Sequence, residues 1–158
     1  MTSNTHTALQ NYVNARRALL DAMLADLRDG TAANEIARLV SVAWSRPVTL
    51  EYLNSWDRAD RAREALKAAG LSDYVDVRTT GDLAGPRAVQ LQISCDPLDL
   101  EPDTWQDLPN RIAGALYGAR IGWTVSGELG PSLEALLGDV EHVELVELDH
   151  LPNPDQQP

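Results

Sequence analysis

Few residues of this sequence have the type and spacing needed for covalent or metal chemistry. Cys95 is the only cysteine, so neither an internal disulfide nor a multi-thiolate metal site can form. It lies in the alternating run VQLQISC, and no histidine is close to it in sequence, which favours a small strand residue over a reactive thiol. His6, His142 and His150 are scattered and form no ligand pair at helical spacing. The sequence therefore predicts no metal and no catalytic residue.

One acidic stretch is the part of the sequence that most resembles a cation-binding site. It contains Asp96, Asp99, Glu101 and Asp103, but it lacks the glycine and the closing glutamate of a calcium-binding loop, and two prolines interrupt it. Acidic side chains are also favoured where a loop enters a helix, because they interact with the helix dipole. The helix entry is the favoured interpretation. No phosphate-binding, dinucleotide-binding or serine-hydrolase motif is present, so no cofactor is predicted and an enzyme is the least supported class.

A second group of residues has the chemistry of phosphate and base recognition. Ser45, Arg46 and Thr49 follow a predicted break in a helical region, and Arg58 and Arg61 lie in the basic stretch WDRADRAREALK. Hydroxyl and guanidinium groups donate to phosphate oxygens and to base edges. In the basic stretch, acidic residues recur three and four positions from the arginines and would pair with them. A solvated helix face is therefore the favoured interpretation of that stretch, with phosphate contact as the alternative.

The stretch GTAANEIARLVSVAWSRPVTLEYL resembles the helix-turn-helix of small bacterial and phage DNA-binding proteins. The resemblance covers residues 30–54. It implies that an Ile-Ala pair packs the supporting helix, and that Ser45, Arg46 and Thr49 open a recognition helix and face the major groove. Ser41 stands where the tight turn of the motif has glycine, and the connection between the helices is longer than in its common versions. A plain unit of three packed helices is the alternative interpretation.

Charge is unevenly distributed along the chain. Residues 1–70 carry nine basic and eight acidic side chains, whereas residues 71–158 carry four and sixteen. The second part should repel nucleic acid and suits a basic partner. No apolar run approaches the ~18–20 residues that cross a bilayer, so no membrane contact is predicted. The first residues lack the pattern of a secretory signal, and we expect a cytoplasmic protein.

Hydrophobic periodicity predicts helices first and then strands. Apolar residues recur at three- and four-residue steps from about Ala8 to Arg28, and again after Thr31, which is the expected cap of the second helix. Alternation then predicts half-buried strands. The predicted helices lie at residues 8–28, 32–40, 46–69 (as one helix or two), 103–118 and 131–137, and the strands at 74–79, 88–95, 121–125 and 143–148. Pro109 leaves the start of the helix at 103–118 open.

These patterns together predict an α+β protein. A helical, helix-turn-helix-like unit is expected at residues 8–70, an acidic β-β-α-β-α-β module at 71–150, and disordered tails at 1–7 and 151–158. The expected function is that of a sequence-specific DNA-binding regulator, a homodimer whose acidic module serves dimerisation or partner binding. The alternative is an acidic adaptor or inhibitor that binds a basic protein and has no DNA role. The expected DNA contacts are Ser45, Arg46, Thr49, Arg58 and Arg61.

Overall fold

The computed structural model describes residues 3–81, 83, 88–125, 128–129 and 143–148. Within these residues, helices come first and an antiparallel sheet follows, which confirms the predicted α+β class. The chain divides into two compact units, residues 1–54 and residues 55–158. The division falls inside the third helix, earlier in the chain than the predicted boundary at residue 70.

The first unit contains α1 (Asn4–Arg28), α2 (Ala33–Leu39) and the first turns of α3 (Arg46–Ala68). Helix α1 begins earlier than predicted because Ser3 caps it. The Ser3 Oγ accepts the backbone N–H of His6 at 3.1 Å, so residues 4–7 are helical rather than disordered. At the other end Gly30 has a φ of +100°, as the sequence predicts for a residue that closes a helix.

Two further helix predictions are settled by the structure. The expected side-chain cap of α2 at Thr31 does not form, since the helix begins after Ala32 without a capping side chain. Helix α3 is one continuous helix of 23 residues, which answers the question of one helix or two. Beyond it, Gly70 adopts a φ of +74°, and the N–H of Leu71 donates to the carbonyl of Leu66 at 2.8 Å. This six-residue closure is a Schellman-type end.

The second unit is built on a five-stranded sheet with the order β1-β2-β5-β3-β4. Its strands are β1 (Val75–Thr80), β2 (Ala88–Ile93), β3 (Ile121–Val125), β4 (Glu128–Leu129) and β5 (Val143–Glu147). All the described pairings are antiparallel, and β1 pairs with β2 along its whole length. The two-residue β4 was not predicted. The predicted helix at 131–137 and the tail at 151–158 lie outside the described residues.

One face of the sheet is covered by helices, and this is where the core of the second unit lies. Helix α4 (Pro102–Gly118) begins at a proline, whose missing N–H is harmless there, and retains the buried Pro109 in its interior. Apolar residues of α3, α4 and alternate positions of the strands meet in a single cluster. Its fully buried members include Ala59, Ala62, Val89, Leu91, Leu108, Ile112, Leu116, Ile121, Val143 and Leu145. No described helix is both long enough and apolar enough to traverse a bilayer.

Candidate nucleic-acid interface

Two helices joined by a six-residue connection position Ser45 and Arg46. Helix α2 ends at Leu39 and α3 begins at Arg46. On α2, Ile36 and Ala37 are buried, and on α3 Leu53 is fully buried. Ser45 and Arg46, by contrast, are exposed at the start of α3.

Arg46 is held by a side chain that the sequence reasoning missed. Its Nη2 donates to the Oδ1 of Asn34 at 2.7 Å, and its Nε donates to the same oxygen at 3.3 Å. Asn34 lies in the first turn of α2, twelve residues before Arg46. No local pattern marks such a pair, because the contact depends on how the two helices cross. The double hydrogen bond restricts the orientation of the guanidinium group.

Thr49 does not present its side chain to solvent. It is fully buried, and its Oγ1 donates to the carbonyl of Ser45 at 3.2 Å, one helical turn earlier. It shares the inward face of α3 with Leu53, which follows it by four residues. Glu51 and Asn54 are exposed on the outward face of the same turns, and Arg46, three residues before Thr49, is exposed at the start of the helix. Asn54 was also missed by the sequence reasoning.

A shallow cleft adjoins the exposed start of α3. It has a volume of about 400 Å³ and is lined by Asn34, Ala37, Arg38, Ser41 and Arg46. Among these lining residues are two guanidinium groups, a hydroxyl and an amide, and no carboxylate. Such a lining favours an anionic group over a cation.

Arg58 and Arg61 lie in the other compact unit, and the structure engages both with the sheet. Arg58 donates to Glu147 Oε1 and to the carbonyl of Leu145, each at 3.3 Å. Arg61 donates to the same Glu147 oxygen, to Asp57 Oδ2 at 2.9 Å and to the carbonyl of Ala119 at 3.0 Å. Both side chains are partly buried. The five predicted contact residues are therefore not brought together on one unit.

Cys95 lies just beyond the end of β2 rather than within a strand. Burial raises the pKa of its thiol, and the negative charges of Asp96 and Asp99 raise it further. This environment disfavours the nucleophilic thiolate. Within the described ranges, no three side chains of histidine, cysteine, aspartate or glutamate converge as a metal site would require.

Comparisons with protein-family models, with characterised proteins and with solved structures find no match to this chain. A functional proposal therefore depends on the geometry and charge of the chain itself.

Proposed function

We propose that the first unit binds duplex DNA through the exposed side chains of the first turns of α3, and that the protein acts as a homodimeric regulator. The observation that carries the proposal is the exposure of three polar side chains on these turns. Thr49 and Leu53 point inward, whereas Arg46, Glu51 and Asn54 are exposed. Arginine, asparagine and glutamate are the side chains that pair with guanine, adenine and cytosine in the major groove.

The dimensions and the neighbouring cleft are consistent with this contact. A helix with its side chains is about 10–12 Å across and fits the major groove, which is about 12 Å wide. The cleft beside Arg46 contains Arg38 and Ser41, which can donate to a phosphate of the DNA backbone. Arg46 borders both the outward face of α3 and this cleft. In the proposed complex Asn34 orients Arg46, and the cleft residues fix the register of α3 on the duplex.

The net charge of the two units determines how strongly DNA binding should depend on salt. The first unit carries five basic and five acidic side chains, so its net charge is zero, and the second unit carries the whole net charge of −11. With Arg38 as the charged phosphate contact, the logarithm of the affinity should fall with the logarithm of salt at a slope of about −1. Non-specific binding is therefore weak, and affinity depends on base contacts.

Selection from a pool of random duplexes tests the proposal. The full-length protein is immobilised, and the retained DNA is sequenced after several rounds at low salt. We expect enrichment of a defined sequence, and we expect Arg46→Ala to weaken binding to that sequence by about 1–3 kcal/mol. Arg78→Ala is the matched control, because Arg78 is an exposed arginine on β1 in the other unit. A pool that remains random for the wild type, or equal losses for the two variants, would refute DNA binding by this face.

A second candidate function is that of an acidic adaptor, and a specific observation favours it. Three arginines of α3 are engaged by acceptors of the second unit: Arg58 and Arg61 by Glu147, and Arg63 by the carbonyl of Val77 at 2.9 Å. Around the start of α4, five acidic side chains are exposed, namely Asp96, Asp99, Glu101, Asp103 and Asp107. Two large apolar side chains, Leu98 and Tyr117, are exposed on the same unit. Acidic and apolar groups together suit a basic, partly apolar protein.

Affinity capture with charge variants tests the adaptor. The triple variant Asp99→Asn, Asp103→Asn and Asp107→Asn removes three exposed acids of the second unit. Its matched control, Asp21→Asn, Asp29→Asn and Glu35→Gln, removes three exposed acids of the first unit. A basic protein that is retained by the wild type and the control, and lost with the first triple, supports the adaptor. Retention by all three proteins argues against it.

A further inference from the structure

The first half of α1 extends beyond the part of the helix that packs on the protein. Met23 and Leu24 are buried, but every residue from Ser3 to Ala15 is exposed. Among these are three large apolar side chains, Leu9, Tyr12 and Val13, which are 58%, 63% and 42% exposed. We refer to residues 3–15 as the α1 extension.

The apolar side chains of the extension lie on the same face of α1 as the buried ones. Leu9, Val13 and Leu20 follow one another at steps of four and seven residues, and Met23 and Leu24 complete the stripe. The face that packs on the protein near Met23 therefore continues along the extension, where none of the described residues covers it. Single exposed apolar residues need no explanation, but a continuous stripe on one helix face does.

The extension also lacks the stabilisation that a helix of its length requires. Residues 4–15 form about three turns, roughly 18 Å long, and helices of about 12 residues are marginal in water without tertiary contacts. The Ser3 cap contributes only about 1 kcal/mol. A partner that covers the apolar stripe would supply the missing contacts.

We infer that the α1 extension forms the homodimer interface with α1 of a second copy in antiparallel fashion, so that residues 5–15 of one copy lie opposite residues 11–21 of the other. The inference depends on the homodimer of the proposed function but not on its DNA contact. The charge distribution of the chain favours a second copy as the partner that covers the extension. The chain carries a net charge of −11, yet the extension contains no Asp, Glu, Lys or Arg, and its ionisable side chains are those of His6 and Tyr12. Two copies can therefore meet here without the repulsion that acts between their acidic regions.

The positions of the charged residues on α1 also favour an antiparallel pair of helices over a parallel one. In a parallel pair Arg16 and Arg17 would each face their own copies. In an antiparallel pair centred on Val13, Arg16 and Arg17 of one copy lie opposite Gln10 and Leu9 of the other, and no like charges meet. The Arg16 side chain is also directed towards Trp44 of its own copy, since its guanidinium lies 5.9 Å from the centre of that ring.

The antiparallel pair also places each extension beside a groove of the other copy. A groove of about 230 Å³ beside α1 is lined by Val13, Arg16, Arg17, Leu20, Asp21 and Tyr52. Centred on Val13, the two helices overlap from Thr5 to Asp21 over about 25 Å. Such an overlap, with side chains from both copies, would bury on the order of 1,000 Å², the lower end of the range for specific interfaces. We therefore expect a reversible dimer, because interfaces at the low end of this range are typical of weak association.

Analytical ultracentrifugation of the full-length protein in the absence of DNA tests the interface. We expect the wild type to associate reversibly to a dimer, and we expect the double variant Leu9→Gln, Val13→Gln to raise the dissociation constant at least tenfold. Glutamine keeps or improves helix propensity, so the variant should retain its helix content by circular dichroism. The matched control is Leu39→Gln, Val42→Gln, which changes two exposed apolar residues outside α1 and should leave association unchanged. A wild type that stays monomeric at 200 μM, or equal association of both double variants, would overturn the inference.

A charge substitution tests the orientation. In the antiparallel pair Thr5 lies opposite Asp21 of the other copy, so Thr5→Lys should tighten the dimer several-fold at low salt, and the gain should disappear at high salt. In a parallel pair the new lysines would face each other. Weaker association of Thr5→Lys would therefore refute the antiparallel arrangement.

Discussion

Arg58 on α3 and Glu147 at the end of β5 are joined by a hydrogen bond of 3.3 Å between residues 89 positions apart in the chain. Arg61, one turn further along α3, donates to the same oxygen of Glu147. One carboxylate at the sheet thus holds two guanidinium groups of the helix. The contact joins α3 to the strand that lies between β2 and β3 in the sheet.

Glu147→Gln should destabilise the second unit. The substitution removes the negative charge but keeps an amide oxygen, and it leaves two partly buried cations with a weaker acceptor. Because the Glu147 side chain is 24% exposed, solvent screens part of the loss, and we expect the free energy of unfolding to fall by about 1–2 kcal/mol. Urea denaturation gives the measurement. Glu144→Gln, on the same strand, is the control and should change it by less than ~0.5 kcal/mol. Equal losses of stability for the two variants would mean that the contacts of Glu147 with the two arginines do not stabilise the second unit.

The sequence alone predicts part of this ion-pair network. Acids at helical spacing predict local pairs with the arginines, and Arg61 does contact Asp57 at 2.9 Å. The partner Glu147 could not be predicted, because it depends on β5 inserting between β2 and β3. Periodicity reveals that a strand exists but not its place in the sheet. The local sequence pattern therefore could not predict that Arg58 and Arg61 contact Glu147.

The direction of a side chain on a helix is equally hard to predict. Helix α3 was expected from its periodicity, yet Thr49 was assigned to the outward face and is buried. Successive residues differ by 100° around a helix, so a small error in the orientation of the helix turns a side chain from solvent to core. By contrast, a glycine after a helical pattern indicates a helix end from sequence alone, because the positive φ of such positions favours glycine, and Gly30 and Gly70 both adopt it.

Ile36→Ala should destabilise the first unit. Ile36 is 2% exposed, and its truncation would leave a cavity in the core of the first unit, so we expect a loss of about 2–4 kcal/mol in the free energy of unfolding. Leu39→Ala on the same helix is the matched control. Leu39 is 71% exposed, and its truncation should change stability by less than ~0.5 kcal/mol. Similar losses in thermal or urea denaturation would show that Ile36 is not a core residue.

Cys95 should react slowly with iodoacetamide near neutral pH. Burial and the neighbouring Asp96 and Asp99 raise the pKa of its thiol, so the reactive thiolate is scarcer in the folded protein than in the unfolded one. The alkylation rate should therefore rise with pH only above the range of an ordinary thiol. The protein unfolded in urea is the reference, and Asp99→Asn should shift the folded profile towards it. A folded profile that lies at lower pH than the unfolded one would contradict this account.

Thr49→Val separates the two faces of α3 in a single comparison. The substitution keeps the shape of the side chain. The carbonyl oxygen of Ser45 loses the hydrogen bond from the hydroxyl, but it still accepts one from the backbone N–H of residue 49, at an N···O distance of 3.1 Å. Stability should therefore change by less than ~1 kcal/mol. Because the hydroxyl points inward, affinity for the selected duplex should also stay the same, whereas Arg46→Ala should weaken it by about 1–3 kcal/mol. Fluorescence anisotropy with the labelled duplex measures both. If Thr49→Val weakens binding as much as Arg46→Ala, the face of α3 that reaches the groove is not the one exposed in this fold.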